Sequence, residues 1–354
     1  MDYTSSELRH SYRYQRVDAA TMQPVSSVGC VRPGGALEYN DLTSLKVTGS
    51  VRYDGRLDLG NDYLRVWMDT EAPGGEGESI PLGTFIVAAP RVTLTPAATE
   101  GAADLYSLLL LLDGSGIREP LTVPAGANAV GCAAGMARDA GLDVSFEASA
   151  AALAVPRVYD AGTSRLEVIN DLLKVAGYDS AEVDGMGTVV MRPYRDPTGL
   201  NPVVTIDDGA RAVLTGEVAH ELDILNVPNV VVAVVSNDSG HMVATAVNST
   251  PANRYSTVSR GREVVELVEL SDIHSQDALQ AYAESVLASK TSAVESVELR
   301  HAFLPYGAGD TVRVSISAPD GASRLDFTGS VAKRSLTLDH TATVAARVRR
   351  FVRF

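Results

Sequence analysis

Two stretches decide how this chain folds: TVPAGANAV at residues 122–130 and, after a segment of small residues, TSRLEVINDLLKVAGYDSAEVDGMGTVVMRP at residues 163–193. In the first, Asn128 caps a helix whose Val130, Ala133, Ala134 and Ala137 share one face, and Gly141 ends it in a left-handed conformation. In the second, Ser164 and Glu167 form a capping box. Leu166, Ile169, Leu172, Leu173 and Ala176 then make one apolar stripe, and Gly177 stops the helix. Period-two alternation returns across Asp184-Gly185-Met186-Gly187, a turn between two short strands. This αβ segment has β-rich sequence on either side.

Before it, up to about Gly114, strands alternate with turn chemistry. Tyr12, Tyr14 and Arg16 alternate with Arg13, Gln15 and Val17, and Leu64, Val66 and Met68 with Arg65, Trp67 and Asp69. Turns fall at Pro33-Gly34-Gly35, Asp54-Gly55 and Gly60-Asn61-Asp62, and Pro73–Glu78 reads as a hairpin loop. Leu82–Leu94 and Leu105–Leu112 supply further strands, and the whole fits a small antiparallel barrel or sandwich. After the αβ segment come strands at Val203–Ile206, Glu217–Asp223 and Val230–Val235, the last apolar throughout and so expected to be buried on both faces. A third helix is expected over Asp272–Lys290, with Ala278, Leu279, Tyr282, Ala283, Val286 and Leu287 on one face. Four more strands follow: Val294–Ala302, Asp310–Ser317, Leu325–Leu338 and Thr341–Phe354.

Length and charge narrow the function. A chain of 354 residues exceeds what one core usually supports, so two to four domains are expected. With 30 basic and 44 acidic residues the net charge is −14, which opposes nonspecific attraction to DNA phosphates or an anionic membrane. Against this trend, Arg324–Phe354 holds seven basic residues (Arg324, Lys333, Arg334, Arg347, Arg349, Arg350, Arg353) and two acids (Asp326, Asp339). That stretch reads either as a solvated strand face or as a basic docking face. Cys30 and Cys132 are too few for a disulfide framework or a zinc site, and read as small buried residues made in a reducing compartment. MDYTSSELRH lacks the pattern of a signal peptide, and the longest pure apolar run, Leu108–Leu112, is too short to span a bilayer.

No catalytic, cofactor-binding or metal-binding set assembles in the sequence. His220-Glu221-Leu222-Asp223 lacks the second histidine of a zinc-protease helix, and Asp207-Asp208-Gly209 lacks the spaced oxygens of a calcium loop. Asp113-Gly114-Ser115-Gly116 is too short to cradle phosphate, and no G-x-S-x-G elbow occurs. The six histidines (His10, His220, His241, His274, His301, His340) have no metal-ligand spacing. Trp67 reads as a half-buried strand anchor. No cofactor is expected.

Read in order, TVPAGANAV before a helix, TSRLEVINDLLKVAGY before a Val/Asp hairpin, VNSTPANRYSTVSRGR after the Val-rich strand, then a helix and LPYGAGDTVRV, the chain resembles the phage tail hub proteins. Their fold is shared with the base of type VI secretion spikes. The resemblance implies a mainly β fold with α+β insertions: two tube-like antiparallel β-barrels plus a helix-containing insertion domain. The first barrel would be residues 1–115 and the first insertion 116–195. The second barrel would be split between 196–236 and 291–354, around an insertion at 237–290 that carries a helix at 275–290. The resemblance further implies a homotrimer with pseudo-sixfold symmetry in the virion tail, made in the host bacterial cytoplasm. Its expected partners are a tail tube or distal tail ring protein on one side and a spike, fibre or tape-measure protein on the other. DNA would pass through the lumen without specific binding, and Glu38, Asp54, Asp58 and Asp62 are candidates either for acids facing that lumen or for ordinary solvated residues. With Phe354 in the last strand, no fused lysozyme, peptidase or fibre is expected, which argues against a cell-wall-degrading enzyme. A tail-associated cell-wall hydrolase or peptidase, and a receptor- or carbohydrate-binding tail module, are the alternative readings.

Overall fold

The computed structural model describes residues 1–5, 7–94, 99–195, 199–209, 212–222, 227–237, 240–270, 276–292, 295–307, 309–317 and 324–350. The first seven strands are β1 (Arg9–Val17), β2 (Pro24–Ser27), β3 (Val31–Asn40), β4 (Val47–Asp54), β5 (Tyr63–Glu71), β6 (Gly77–Leu94) and β7 (Thr99–Ser107). A first insertion holds α1 (Leu110–Asp113), β8 (Leu121–Val123), α2 (Ala129–Asp139), β9 (Val144–Phe146), β10 (Arg157–Tyr159), α3 (Arg165–Val175), β11 (Glu182–Val183) and β12 (Val189–Met191). Strands β13 (Val204–Asp207) and β14 (Ala219–Leu222) return to the main sheet. A second insertion follows, with β15 (Val230–Asn237), β16 (Gly240–Val247), α4 (Thr257–Arg260), β17 (Val265–Leu270) and α5 (Gln276–Ser292). The chain closes with β18 (Glu295–His301), β19 (Thr311–Ser317), β20 (Arg324–Leu338) and β21 (Val344–Arg350).

The fold is mainly β with helix-containing insertions, as expected, but the two barrels are two halves of one sheet. Thirteen strands join in the order β14-β18-β21-β20-β3-β4-β7-β6-β5-β1-β2, with β19 beside β20 and β13 beside β19. Among the described residues no pairing closes either half into a cylinder. The physical reason is β20, which changes partner along one edge: Arg324–Ser330 pairs with β19, and Lys333–Leu338 with β3 of the first half. The β3 edge that could close the first half is thus already taken by the second. The core follows the sheet, because Leu37, Val51, Tyr53 and Leu105 belong to the same buried cluster as Val297, Val331, Leu336 and Val348.

The first insertion has a core of its own, in which α2 and α3 bury Val130, Ala133, Ala137, Leu166, Ile169 and Leu172. Its helix ends are those read from the sequence. Asn128 Oδ1 accepts from Gly131 N at 2.6 Å, Ser164 Oγ accepts from Glu167 N at 3.0 Å, and Gly141 and Gly177 have φ of +83° and +73°. Leu105–Leu112 does not run on as a strand. After Ser107 it turns into α1, and Leu108, Leu109 and Leu112 are fully buried in the insertion core. A short all-apolar run fits a buried turn of helix as well as a strand, and here the insertion core decides. Replacing Ser164 by alanine orphans a backbone donor at α3, so thermal or urea unfolding should show a loss of about 1 kcal/mol.

The Val230–Val235 run does not pair with the second half of the main sheet. β15 lies between β16 and β17 in a separate three-stranded sheet. Nor is it buried on both faces: Val231, Ala233 and Val235 pack under Leu279, Ala283 and Leu287 of α5, while Val232 and Val234 are half-buried on the opposite side. The expected start of the third helix at Asp272, and the end of the last strand beyond Arg350, lie outside the described residues.

Candidate assembly surface

Alternation along the main sheet sends Leu37, Tyr39, Val51, Leu105, Leu336, Ala346, Val297 and Leu299 to the core, so their neighbours form a continuous polar face opposite. Strand register aligns Arg300, Ala345, Ser335, Glu38, Thr48 and Tyr106 in one row across six strands, from β18 to β7. A second row runs Glu298, Arg347, Lys333, Asn40. Both rows cross from one half of the sheet into the other at the β20–β3 pairing. The face is recessed in hollows of about 630, 420 and 330 Å³, and Glu38 borders all three.

Charges of both signs interleave on this face: Glu38, Asp104 and Glu298 with Arg300, Lys333 and Arg347. Of the four acids singled out from sequence, Glu38 and Asp54 stand on this face, Asp54 paired with Arg32 at 3.1 Å. Asp58 and Asp62 follow β4 and pair with Arg56 at 3.0 Å and Arg16 at 2.5 Å. The basic C-terminal strand is internal, between β18 and β20. Its Arg347 donates to Ser296 Oγ at 3.1 Å and lies 3.7 Å from Glu298, while Arg350 stacks over Phe327 at 5.7 Å.

The first insertion is fastened beside this face by two buried cations that composition alone gives no means of finding. Arg65 is 3% exposed; its Nε donates to Thr84 Oγ1 at 2.9 Å and its Nη2 to the Met186 carbonyl at 2.9 Å. Burial pulls its pKa down, partly opposed by the nearby Asp184. Lys46 is 5% exposed and reaches Asp41 at 3.0 Å and Glu182 at 3.4 Å, while burial pushes the Glu182 carboxyl up. The Asp184–Thr188 turn that meets Arg65 needs Gly187, at φ +94°, where an added Cβ would strike Met22. Gly187→Ala should therefore cost about 2 kcal/mol by denaturant titration.

The remaining sequence candidates fall in structural settings. Asp207 Oδ1 accepts from Gly209 N at 3.0 Å, and Asp208 Oδ2 from Ser317 N at 2.7 Å, which makes the pair a turn. Residues Ala219–Leu222 are strand, not helix; the side chains of residues 220–222, all of Asp223, and His274 lie outside what is described. Trp67 is half-buried, donates to Gln15 Oε1 at 2.8 Å and carries the Arg13 guanidinium over its ring at 5.3 Å. His301 is fully buried, with Nδ1 at 2.6 Å from the Ala302 carbonyl and Nε2 at 2.7 Å from the Tyr306 hydroxyl. Among the described residues no three His, Cys, Asp or Glu side chains gather to hold a metal, and no helix is long and apolar enough to cross a membrane.

No family model and no curated protein matches the sequence. Solved structures share its fold. The tail protein from Neisseria meningitidis MC58 is 15% identical with a TM-score of 0.71, over 96% of this chain and 97% of that one. The prophage MuSo2 43 kDa tail protein from Shewanella oneidensis is 10% identical with a TM-score of 0.66, over 96% and 98%. A chain of the half-lidded Francisella PdpA–VgrG complex is 6% identical with a TM-score of 0.58, over 98% of this chain and 58% of that one. The chain thus has the fold of phage tail proteins and of a VgrG-complex component.

Proposed function

We propose that this chain is a structural hub of a phage tail tip, or of a related injection machine, in which three copies close a ring between tail tube and spike. The observation that carries this reading is the row from Arg300 to Tyr106, polar but for Ala345, which crosses both halves of the sheet in one register. A sheet with one apolar and one polar face suits the lining of a wet bore, and two sheet halves per copy let three copies present six segments to a sixfold tube. The interleaved charges suit a bore that lets DNA slide, since capture by counterion release needs an uncompensated run of cations. The near full-length likeness to two tail proteins supports the reading. The likeness to the Francisella chain covers 58% of that chain. The hub acts in the virion tail, without catalysis, and its neighbours are a tail tube or distal ring protein and a spike, fibre or tape-measure protein. Electron cryomicroscopy of assembled particles tests it: one ring of three copies at the tube end is expected, with Glu38, Ser335 and Thr48 facing the bore. A ring of another order, or that face turned outward, would sink the reading.

A further inference from the structure

A cavity of about 500 Å³ opens where the first half of the sheet, the first insertion and the 303–310 loop meet. Its floor holds Leu37, Tyr39, Phe303, Tyr306 and Leu336, and its lining carries charges of both signs, Lys46 and Arg192 with Glu38, Glu78, Glu182 and Asp310. Into this floor projects Arg334 of β20. Its guanidinium sits 5.3 Å from the Phe303 ring centroid and 5.0 Å from that of Tyr306, and Nη2 lies 3.5 Å from the Leu304 carbonyl. Tyr306 also offers its hydroxyl, and Asp310 attracts the charge through space, but one carboxylate oxygen of Asp310 is taken by Gly307 N at 2.6 Å. Nε is shut off from solvent and has no acceptor among the described residues. A buried guanidinium without a carboxylate is costly, because the two aromatic faces and a carbonyl replace only part of its lost hydration.

We infer that this cavity is a binding site for a carboxylate, which docks on Arg334 against the Phe303 and Tyr306 rings. A carboxylate in the cavity accepts from the Nη groups of the guanidinium, a charge-assisted pairing that a planar cation makes well. Apolar walls with a few convergent polar groups are the usual make-up of a small-ligand pocket, and three acids of this lining are engaged elsewhere: Glu78 by the Tyr3 hydroxyl at 2.6 Å, Glu182 by Lys46 at 3.4 Å and Asp310 by Gly307 N at 2.6 Å. The carboxylate comes either from a small organic acid or from an aspartate or glutamate of a partner segment. Either would bridge β20, the insertion and the 303–310 loop, and the site stands whatever the chain's place in a tail.

The test uses the full-length protein and an isosteric series of benzoate, benzamide and benzamidine, followed by calorimetry. Saturable benzoate binding is expected, with benzamide and benzamidine weaker by about tenfold or more and Arg334→Lys weakening benzoate by about tenfold. The blocked peptide acetyl-Ala-Glu-Ala-amide, compared with its glutamine counterpart, separates the two sources: tighter binding of the glutamyl peptide than of benzoate assigns a partner segment, and the reverse a small acid. Because Arg334→Lys could unfold the chain, a structure determined in benzoate provides a second measure, with the carboxylate expected within hydrogen-bond reach of the Arg334 Nη groups. Failure of both benzoate and the glutamyl peptide to bind, equal binding of benzamide, or benzoate located elsewhere overturns the site.

Discussion

Replacing Leu336 by alanine should lower the free energy of unfolding by about 2–5 kcal/mol, and both halves of the large sheet should lose structure in a single transition. Leu336 is 3% exposed and sits directly opposite Leu37 across the β20–β3 pairing, in a core cluster shared by the two halves. A cavity there removes contacts on both sides at once. Trp67, the sole tryptophan, reports the first half by fluorescence, and amide exchange in β19 and β21 reports the second. The two probes should shift together in denaturant. Two separated transitions, with the tryptophan signal unmoved by the substitution, would show that the halves fold as independent bodies. Leu37→Ala should act similarly, and the double variant should depart from additivity by about 0.5–3 kcal/mol, because the two side chains share one contact.

Acid should also weaken the fold through a single imidazole. Burial is the main cause that holds His301 down at about 4, with the Arg334 charge adding to it and the Ala302 carbonyl partly opposing it. The carbonyl fixes the proton on Nδ1, so Nε2 accepts from Tyr306, and a second proton would set two donors against each other. With a folded value below the unfolded one of about 6.5, the neutral ring stabilises the native state fully above pH 6.5. That contribution, about 3 kcal/mol, is lost as pH falls from 6.5 towards 4. Glu182 and Asp179, both raised by burial, act in the opposite sense, since taking up a proton relieves their desolvation. The contribution of His301 is therefore best read as the difference between wild type and His301→Gln across that pH range. Parallel stability curves for the two proteins would refute the assignment.

The elements that the sequence announced most clearly were those whose signals are local. Asn128, Ser164, Gly141 and Gly177 each act within one turn of helix, and the structure places all four where the caps and stops were expected. The alternation of β1 and β5 was equally plain, because a two-residue period needs no distant partner. Pairing was not legible. That β20 would leave β19 and take up β3, some three hundred residues away in the chain, depends on which edge lies free in three dimensions. The same limit applied to Val230–Val235, whose composition fits burial on both faces until the single helix α5 is seen to cover one of them. Among site residues, Glu38 was identified but not distinguished from Asp58 or Asp62, since position on a face is set by register. Arg334 and His301 were visible only as members of a basic run and of a scattered set. Their neighbours Phe303 and Tyr306 arrive through a loop, which carries no periodic signal.

The second insertion joins the large sheet in a way that has a practical consequence. β14 and β18 pair antiparallel with Leu222 opposite Glu295, so the chain departs and comes back at adjacent positions. Between those points, β15, β16, β17 and α5 bury their apolar residues mainly against one another. Such a segment is an exchangeable cassette: a tight turn, or a foreign domain with closely spaced termini, could be grafted in its place without rewriting the scaffold that receives it.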